Sequence, residues 1–478
     1  MRIAAIDQGT TSTRVLIASS NNDPEVIHSI EHTQLYPQSG WVEHDPQEII
    51  KNIQSCADVA GLVDAFGIDN QGESCLAWDK ETKKPLSNII VWQDNRTLDQ
   101  IEKLKAQGFE AKTLEIAGLP LDTYFSASKL GWIIKNNKKA QAALKKGNLR
   151  LGTTDAFFLD RMTDNFVTDI TTASRTSLMN IATGEWDKDL CKIFAVPIET
   201  LPKIVPSTGN FGSIKTKHGL IPITASIVDQ QAALYGFGCK EMGEAKITFG
   251  TGAFALMITG EQIFKKPKQG LLPTIAWQKY GEKPTYALDG GIYTASAAIN
   301  WAKSLGLFSD LSEINSFYGS AASDSGLIFM PALSGLACPH WDRQARGMWL
   351  GLSLDHKPEQ LVQAILEGIA FRAAEVIEAM NECTPLGNII LIDGGMSKNP
   401  YFCQFLADVL QKEVRPSNLP ELTAYGVALL AADFIKERQD GKLQFKPSQF
   451  SSYKPQNNRA KTFAKFKKAI IISKNWVG

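Results

Sequence analysis

The sequence predicts an α/β protein built from two similar halves. The first observation is an opening hairpin, in which the apolar runs Ile3 to Ile6 and Val15 to Ala18 flank a polar turn. The second is the order of strands, helix and strand that follows it. The third is a repeat, because Ala245 to Gly260 again reads as apolar strand, glycine-rich turn and apolar strand. Two halves of this kind, divided near residue 238, would face each other across a cleft.

Composition narrows the possible classes of function. The 478 residues are enough for about two to four domains. The formal net charge is zero, from 50 basic and 50 acidic residues, so no charge footprint for nucleic acid or an anionic membrane is expected. No apolar run reaches the ~18 residues of a membrane span, and the N-terminus lacks a signal-peptide layout. The protein is therefore expected to be cytoplasmic.

The seven cysteines are scattered and never spaced as C-x-x-C. That pattern is typical of small buried hydrophobes rather than of a disulfide frame or a zinc site.

The opening turn, residues 7 to 14, has the composition that phosphate binding needs. Gly9 lets the backbone approach an anion, the hydroxyls of Thr10 and Thr11 can donate to its oxygens, and Asp7 can hold a hydrated divalent cation. A solvated hairpin tip rich in turn formers is the alternative interpretation.

The rest of the first half continues the sheet. A third extended segment, Glu25 to Leu35, precedes a helix that begins with Asp45 as cap, Pro46 in the first turn and an acid three residues after the cap. The strand Ala65 to Asp69 then ends in NQGES. This order predicts a mixed sheet whose active edge lies at the strand ends.

The middle of the chain carries a candidate catalytic carboxylate. The segment IPITASIVDQQAALYGFG reads as a buried strand that ends on Asp229 and Gln230. A carboxylate in that position is well placed for chemistry, and a helix N-cap is the alternative.

The second half repeats the later elements of the first. A helix beginning near Pro358 precedes the strand Asn388 to Asp393 and the polar turn GGMSKN. From about residue 449 the chain is basic, and we expect a loosely attached extension or a final helix without an assigned role.

With these segments placed, the sequence resembles the FGGY carbohydrate kinases, and within them the glycerol kinases. Both family signatures are recognisable, as YFSASKLGWIIKN at 124–136 and GMWLGLSLDHKPEQLVQAILE at 347–367. The blocks DQGTT, YPQSGWVEHDP, VDQQAAL and GTGAF add to the resemblance, which runs from about residue 3 to about residue 435.

The resemblance implies two actin-like (ribonuclease-H-like) ATPase domains, residues 1–238 and 239–478, with a nucleotide and substrate cleft between them. It also implies ATP and Mg²⁺ as cofactors, and a small-molecule polyol or sugar as substrate. A homodimer is left open. A non-kinase actin-like ATPase is the alternative from another class.

Roles for individual residues also follow from the resemblance. Asp229 is implied as the catalytic base, which at an ordinary pKa of about 3.9 would be ionised at neutral pH. Asp7 is implied as a ligand of Mg²⁺ through water. The residues implied in contacts with the nucleotide are Thr10, Thr11, Arg14, Gly250, Thr251, Gly252, Ser296, Asn300, Gly395 and Asn399. Arg14 is alternatively a structural ion-pair residue, and Arg175 in ASRTS is either a site residue or a salt-bridge partner.

The acceptor pocket departs from the family pattern at one position. Glycerol kinases typically carry NQRET after the strand, whereas residues 70–74 read NQGES, so that Gly72 stands at the position of the arginine. Loss of a charged donor costs on the order of 1.5–3 kcal/mol when its partner is left unsatisfied. The other residues implied in the pocket are Glu73, Trp92, Tyr124, Asp229, Gln230 and Phe254.

Two explanations of Gly72 stay open. In the first, the space left by the arginine admits a longer or differently shaped acceptor, such as a tetritol or a small ketose. In the second, another donor fills that space and glycerol remains the acceptor.

Overall fold

The computed structural model describes residues 1–20, 22–264, 270–419, 421–439 and 451–476. In chain order, the strands are β1 (Arg2–Gln8), β2 (Ser12–Ser19), β3 (Glu25–Glu31), β4 (Glu43–His44), β5 (Ala65–Asn70), β6 (Cys75–Asp79), β7 (Ile89–Ile90), β8 (Leu149–Thr153), β9 (Val167–Asp169), β10 (Met179–Asn180), β11 (Glu185–Trp186), β12 (Lys203–Val205), β13 (Ser213–Thr216), β14 (Gly219–Val228), β15 (Ala245–Phe249), β16 (Ala253–Gly260), β17 (Leu272–Trp277), β18 (Thr285–Ile292), β19 (Ile328–Met330), β20 (Met348–Leu350), β21 (Ile389–Gly394) and β22 (Glu413–Pro416).

The helices are α1 (Pro46–Val59), α2 (Leu98–Ala106), α3 (Glu110–Ile116), α4 (Ser126–Asn136), α5 (Lys138–Lys145), α6 (Thr154–Thr163), α7 (Ile170–Ser174), α8 (Lys188–Ile193), α9 (Asp229–Gly236), α10 (Ser296–Ser304), α11 (Pro358–Cys383), α12 (Pro400–Leu410), α13 (Leu422–Gln439) and α14 (Ala460–Lys474).

The first half is organised around a six-stranded sheet in the order β13-β14-β5-β1-β2-β3. The strands β1 and β2 form the predicted hairpin, and β5 and β14 lie parallel to β1. The third strand is shorter than predicted. It ends at Glu31, and the next residue, His32, donates its backbone N–H to the carbonyl of Thr11 in the hairpin turn.

The helix α1 begins as predicted. Asp45 is the N-cap, its side chain accepts the backbone N–H of Gln47, and Pro46 occupies the first turn. The buried face of the helix packs on the first sheet. The cap therefore fixes the residue at which α1 begins.

The second half contains a six-stranded sheet in the order β17-β18-β16-β15-β21-β22, in which the five strands β18-β16-β15-β21-β22 correspond to β3-β2-β1-β5-β14 of the first sheet. Here β15 and β16 form an antiparallel hairpin, and β21 runs parallel to β15 as β5 runs parallel to β1. The predicted repeat is thus confirmed in the topology. The predicted helix from Pro358 and the strand from Asn388 correspond to α11 and β21. The division at residues 238 and 239 stays a prediction.

One helix of the second half returns to the first sheet. The helix α13 packs on β5, β14 and α9. A Cβ on Gly426 would lie 1.8 Å from the carbonyl oxygen of Ala232, so the two helix backbones approach at a distance that only glycine permits. This close packing joins the second half to the first sheet.

The helix α14 covers the second half. Its side chains Phe466, Ala469 and Ile470 are buried, and the ring of Phe466 lies 5.1 Å from that of Phe371. The described part of the predicted extension is therefore a docked final helix, while residues 449 and 450 lie outside the described residues. Within the described ranges no helix is long and apolar enough to cross a membrane.

Candidate active site

Three carboxylates lie at the carboxyl ends of neighbouring strands, along one edge of the first sheet. Asp7 and Asp69 are register partners on the neighbouring parallel strands β1 and β5. Asp229 follows β14, the strand on the other side of β5. Because carboxyl ends of parallel strands share one edge, the fold places the predicted metal residue and the predicted base on either side of Asp69.

Sequence reasoning missed Asp69. It is fully buried, and neither carboxyl oxygen has a hydrogen-bonding N–H or O–H donor among the described residues. Burial and the negative charge of Asp7 raise the pKa of Asp69 well above its usual range. The signal that could have found it was its place at the end of the strand that precedes NQGES.

Asp229 does not have the ordinary acidity expected from the sequence. Burial, and then the charges of Glu73 and Asp7, raise its pKa to about 7. The expectation of a pKa near 3.9 was wrong because a local motif does not reveal the neighbouring carboxylates. Asp229 is also the first residue of α9 rather than its N-cap, which is Val228.

The opening turn is in contact with the aromatic side of the pocket. The indole Nε1 of Trp92 donates to the hydroxyl of Thr10 at 3.1 Å. The rings of Trp92 and Tyr124 meet edge to face, with centroids 5.6 Å apart. Thr11 is exposed at the tip of the same turn. The sequence predicts that Thr10 contacts the nucleotide and that Trp92 and Tyr124 contact the acceptor. The structure brings these three residues together.

Arg14 is engaged in an ion pair. Its Nη1 donates to Oε1 of Glu421 at 2.5 Å, and its Nε and Nη2 donate to the hydroxyl of Ser12. The charges of Asp7 and Glu421 outweigh burial and raise the pKa of Arg14. The structural alternative given for Arg14 therefore describes its contacts in this structure.

Glu73 lies in a buried network that crosses between the halves. Nε of Arg175 donates to Oε1 of Glu73 at 2.7 Å, and Nη2 of Arg175 lies 3.1 Å from Oδ2 of Asp289 on β18. The guanidinium carbon lies 5.7 Å from the centre of the Tyr124 ring. Arg175 is therefore a salt-bridge partner in this structure, and its role as a site residue stays a prediction.

Gly72 is packed against the residue that precedes the candidate base. A Cβ on Gly72 would lie 2.6 Å from Cγ2 of Val228, closer than real Cβ contacts. It would lie 3.9 Å from Cγ of Arg175. The position left by the arginine is therefore occupied in part by the Val228 side chain.

Lys246 joins Gln230 to the second sheet. Its buried Nζ donates to Oε1 of Gln230 at 2.7 Å and to the hydroxyl of Thr248 at 2.8 Å. Burial lowers the pKa of Lys246. Phe254, on β16, is partly buried.

The second glycine-rich turn is tied to α10. The carbonyl of Gly250 accepts the backbone N–H of Ser296, and the carbonyl of Thr251 accepts those of Ala295 and Ala297. Gly252 completes this turn, and a Cβ there would lie 2.4 Å from the carbonyl oxygen of Ile292.

The predicted adenosine residues differ in their surroundings. A Cβ on Gly395 would lie 3.8 Å from the hydroxyl oxygen of Ser296, so these two residues are neighbours. Asn300 is exposed, one turn further along α10. Asn399 instead caps α12, accepting from Phe402 and donating to the carbonyl of Ile314. Both ends of its amide are thus engaged by the protein.

Comparison with known protein families gives two matches that together cover most of the chain. The model of the FGGY carbohydrate kinase N-terminal domain matches residues 2–236, and the model of the C-terminal domain matches residues 245–433. The chain belongs to the FGGY family of carbohydrate kinases. It is therefore an ATP-dependent carbohydrate kinase with the two-domain actin-like fold, which sets aside the non-kinase alternative.

Relatives in this family include several glycerol kinases. The chain is 37% identical to a glycerol kinase of Haloferax volcanii, with 99% of this chain and 98% of the relative covered. It is 41% identical to one of Rhizobium rhizogenes, with 90% and 89% covered. A crystal structure of Plasmodium falciparum glycerol kinase with ADP is 33% identical and superposes with a TM-score of 0.89, covering 99% of this chain and 98% of that chain.

Proposed function

We propose that this FGGY kinase phosphorylates a hydroxyl of a small neutral polyol, with glycerol as the first candidate. The observation that carries the proposal is Asp229, held at a strand end beside Glu73 and Asp7. The glycerol kinases among its relatives support the choice of acceptor. A tetritol or small ketose is the second candidate, because Gly72 replaces the arginine of the family motif.

Asp229 is the proposed general base. Phosphoryl transfer requires mainly alignment and charge neutralisation, with one group to accept the proton of the attacking hydroxyl. In its ionised form Asp229 can accept that proton, and its raised pKa brings its basicity close to neutral pH. Glu73 contributes negative charge beside Asp229 and an acceptor for a second hydroxyl.

The acidic edge is compatible with Mg²⁺. Asp7 and the donor-free carboxyl of Asp69 supply oxygen ligands of the kind that Mg²⁺ prefers. Asp7 would hold the ion, with water between them. When bound, the ion neutralises charge on the phosphate oxygens of ATP. The turns at residues 9–11 and 250–252 are proposed to donate N–H and hydroxyl groups to those oxygens.

The acceptor pocket combines polar and aromatic groups. Glu73, Asp229 and Gln230 offer carboxylate and amide groups to hydroxyls, while Trp92 and Tyr124 present ring faces and edges to the carbon chain. We propose that Ser296 and Gly395 border the adenosine, and that Asn399 acts only by fixing the turn before α12.

A panel of acceptors in a coupled ADP-release assay tests the function. Polyols and ketoses of three to six carbons are compared at fixed Mg-ATP, with a reaction without acceptor as the control. We expect ADP release to depend on acceptor and to be fastest with a three-carbon polyol. Acceptor-independent release across the panel would contradict the proposal, and preference for a longer acceptor would select the second candidate.

A further inference from the structure

One nitrogen of Arg175, in the proposed acceptor pocket, has no hydrogen-bond acceptor among the described residues. Arg175 uses Nε for Glu73 and Nη2 for Asp289. Within the described residues, its buried Nη1 has no hydrogen-bond acceptor. The side chain is only 6% exposed, so bulk water does not satisfy this N–H group. A buried unsatisfied donor is costly, which points to a ligand atom as its partner.

Asp289 has a matching free oxygen. Oδ2 is paired with Arg175, whereas buried Oδ1 has no donor in the described part of the chain. Arg175 follows α7 of the first half and Asp289 lies on β18 of the second. The pair therefore presents one free donor and one free acceptor where the two halves meet.

Because Gly72 has no side chain and Val228 lies against it, a charged donor for this part of the pocket has to come from another residue. The residue at position 72 cannot supply a guanidinium, and Val228 fills the volume that a side chain at this position would enter. The stem of Arg175 passes 3.9 Å from the same point. Arg175, the residue that follows α7, thus brings an arginine side chain next to position 72 from a different part of the chain.

We propose that Arg175 and Asp289 recognise a hydroxyl of the acceptor, in place of the arginine that Gly72 has replaced. The inference rests on the proposed polyol kinase function. A hydroxyl matches the pair because it can accept from Nη1 and can donate to Oδ1. Arg175 is then a specificity-determining residue, and Asp289 both holds it and contributes an oxygen of its own.

This assignment favours the second explanation of Gly72. Val228 prevents the pocket from simply becoming larger at position 72, and Arg175 restores the charged donor. The expected acceptor is therefore a small polyol of about glycerol's length rather than a longer sugar.

The test separates acceptor binding from nucleotide binding. Arg175→Lys keeps the positive charge but removes the forked donor. With the fastest acceptor of the wild-type panel, we expect its KM to rise roughly 10- to 100-fold. The KM for ATP should stay within about twofold. Arg150→Lys is the matched control, because Arg150 is also paired with a buried aspartate, Asp160, and lies outside the pocket.

A second variant keeps the test decisive if Arg175→Lys does not fold. Asp289→Asn retains an oxygen for Arg175 and puts an N–H₂ group in place of the free oxygen, so it should raise the acceptor KM in the same selective way. An acceptor KM within twofold of wild type in the folded variants would overturn the inference, as would equal increases in both KM values. Failure of the proposed function is distinct, because wild type itself would then show no acceptor-dependent turnover.

Discussion

The ends of the two central sheets share a topology but differ in charge. In the first sheet, β1 and β5 end in the paired carboxylates Asp7 and Asp69. In the second, the register partner of Asp393 on β21 is Thr248 on β15. The charged side chain on β15 is Lys246, whose Nζ donates to Thr248. One edge is therefore acidic, and the other combines a carboxylate with a buried cation.

The difference suggests how one repeated scaffold divides a two-substrate reaction. An acidic edge suits a metal and a proton acceptor, while a turn of small residues beside α10 leaves room for a nucleotide. One connection between the edges is Lys246, which reaches Gln230 next to the candidate base. The same arrangement of hairpin and parallel strand occurs in both halves, and a few residues at the strand ends determine what each half can bind.

Of the changes considered, removal of the proposed base Asp229 should have the largest effect on catalysis. Asp229→Asn keeps the shape of the side chain but cannot accept the proton, so we expect kcat to fall about 10²- to 10⁴-fold. Thermal unfolding of the variant checks that the loss is chemical. Retention of more than a tenth of wild-type kcat would contradict the assigned role.

The pH dependence should follow the pKa of the base. The ionised form of Asp229 is active and its pKa is raised to about 7, so acceptor kcat/KM should fall tenfold per pH unit below the inflection. A cation beside Asp7 would move that inflection downward. Asp229→Asn should not show this acidic decrease in kcat/KM at any Mg²⁺ concentration. If added Mg²⁺ raised the pH of the wild-type inflection, the result would be inconsistent with this geometry.

The same shift makes a prediction for stability without ligands. The folded-state pKa of Asp229 lies above its unfolded value of about 3.9, so its favourable contribution is present below pH about 4 and is lost as pH rises through about 7. The stability of Asp229→Asn relative to wild type should therefore increase as the pH is raised from about 4 to about 7. Denaturant unfolding at pH 5 and pH 8 measures it, and an equal difference at both pH values would argue against a raised pKa.

Packing at Gly72 should give a moderate effect. Gly72→Ala places its Cβ against Val228, and such overpacking costs about 1–3 kcal/mol. The double variant Gly72→Ala/Val228→Ala should recover part of this loss. Denaturant unfolding of the four proteins measures the coupling, and strictly additive effects would show that the two side chains do not compete for space.

The ion pair at the rim of the opening hairpin should matter least for stability. Arg14 and Glu421 are both about a quarter to a third exposed, so Glu421→Gln should cost only about 0.2–1 kcal/mol. The variant also frees Arg14 for phosphate, so the KM for ATP should not rise. An increase in that KM would mean that the pair positions the nucleotide.

Local patterns predicted most of the scaffold. The hairpins, the helix capped by Asp45 and the helix from Pro358 each carry their own signals in a short stretch of sequence. The return of α13 to the first sheet was not predicted, because its periodicity does not specify which sheet it covers. The length of β3 was overestimated for a similar reason, since its end depends on contacts with the turn after β1.

The candidate site was predicted as a set of residues but not as a network. Asp7, Glu73 and Asp229 were selected from their motifs, whereas the pKa of Asp229 depends on their mutual distances. The filling of Gly72 by Val228 could not be derived from spacing, because these two residues are far apart in the chain. Asp69 could have been selected by its place at a strand end, but its pairing with Asp7 depends on strand register.

The most direct test of the division between the two edges is ATP binding measured by titration calorimetry on Asp229→Asn and Gly395→Leu. Among the described residues, the Ser296 hydroxyl oxygen, at 3.8 Å, is the one atom within 4 Å of a Cβ on Gly395, so the leucine variant should fold while obstructing the proposed adenosine site. This division between the edges predicts that Asp229→Asn binds ATP within about twofold of wild type and that Gly395→Leu binds it at least about tenfold more weakly. Equal ATP affinity in the two variants would contradict it.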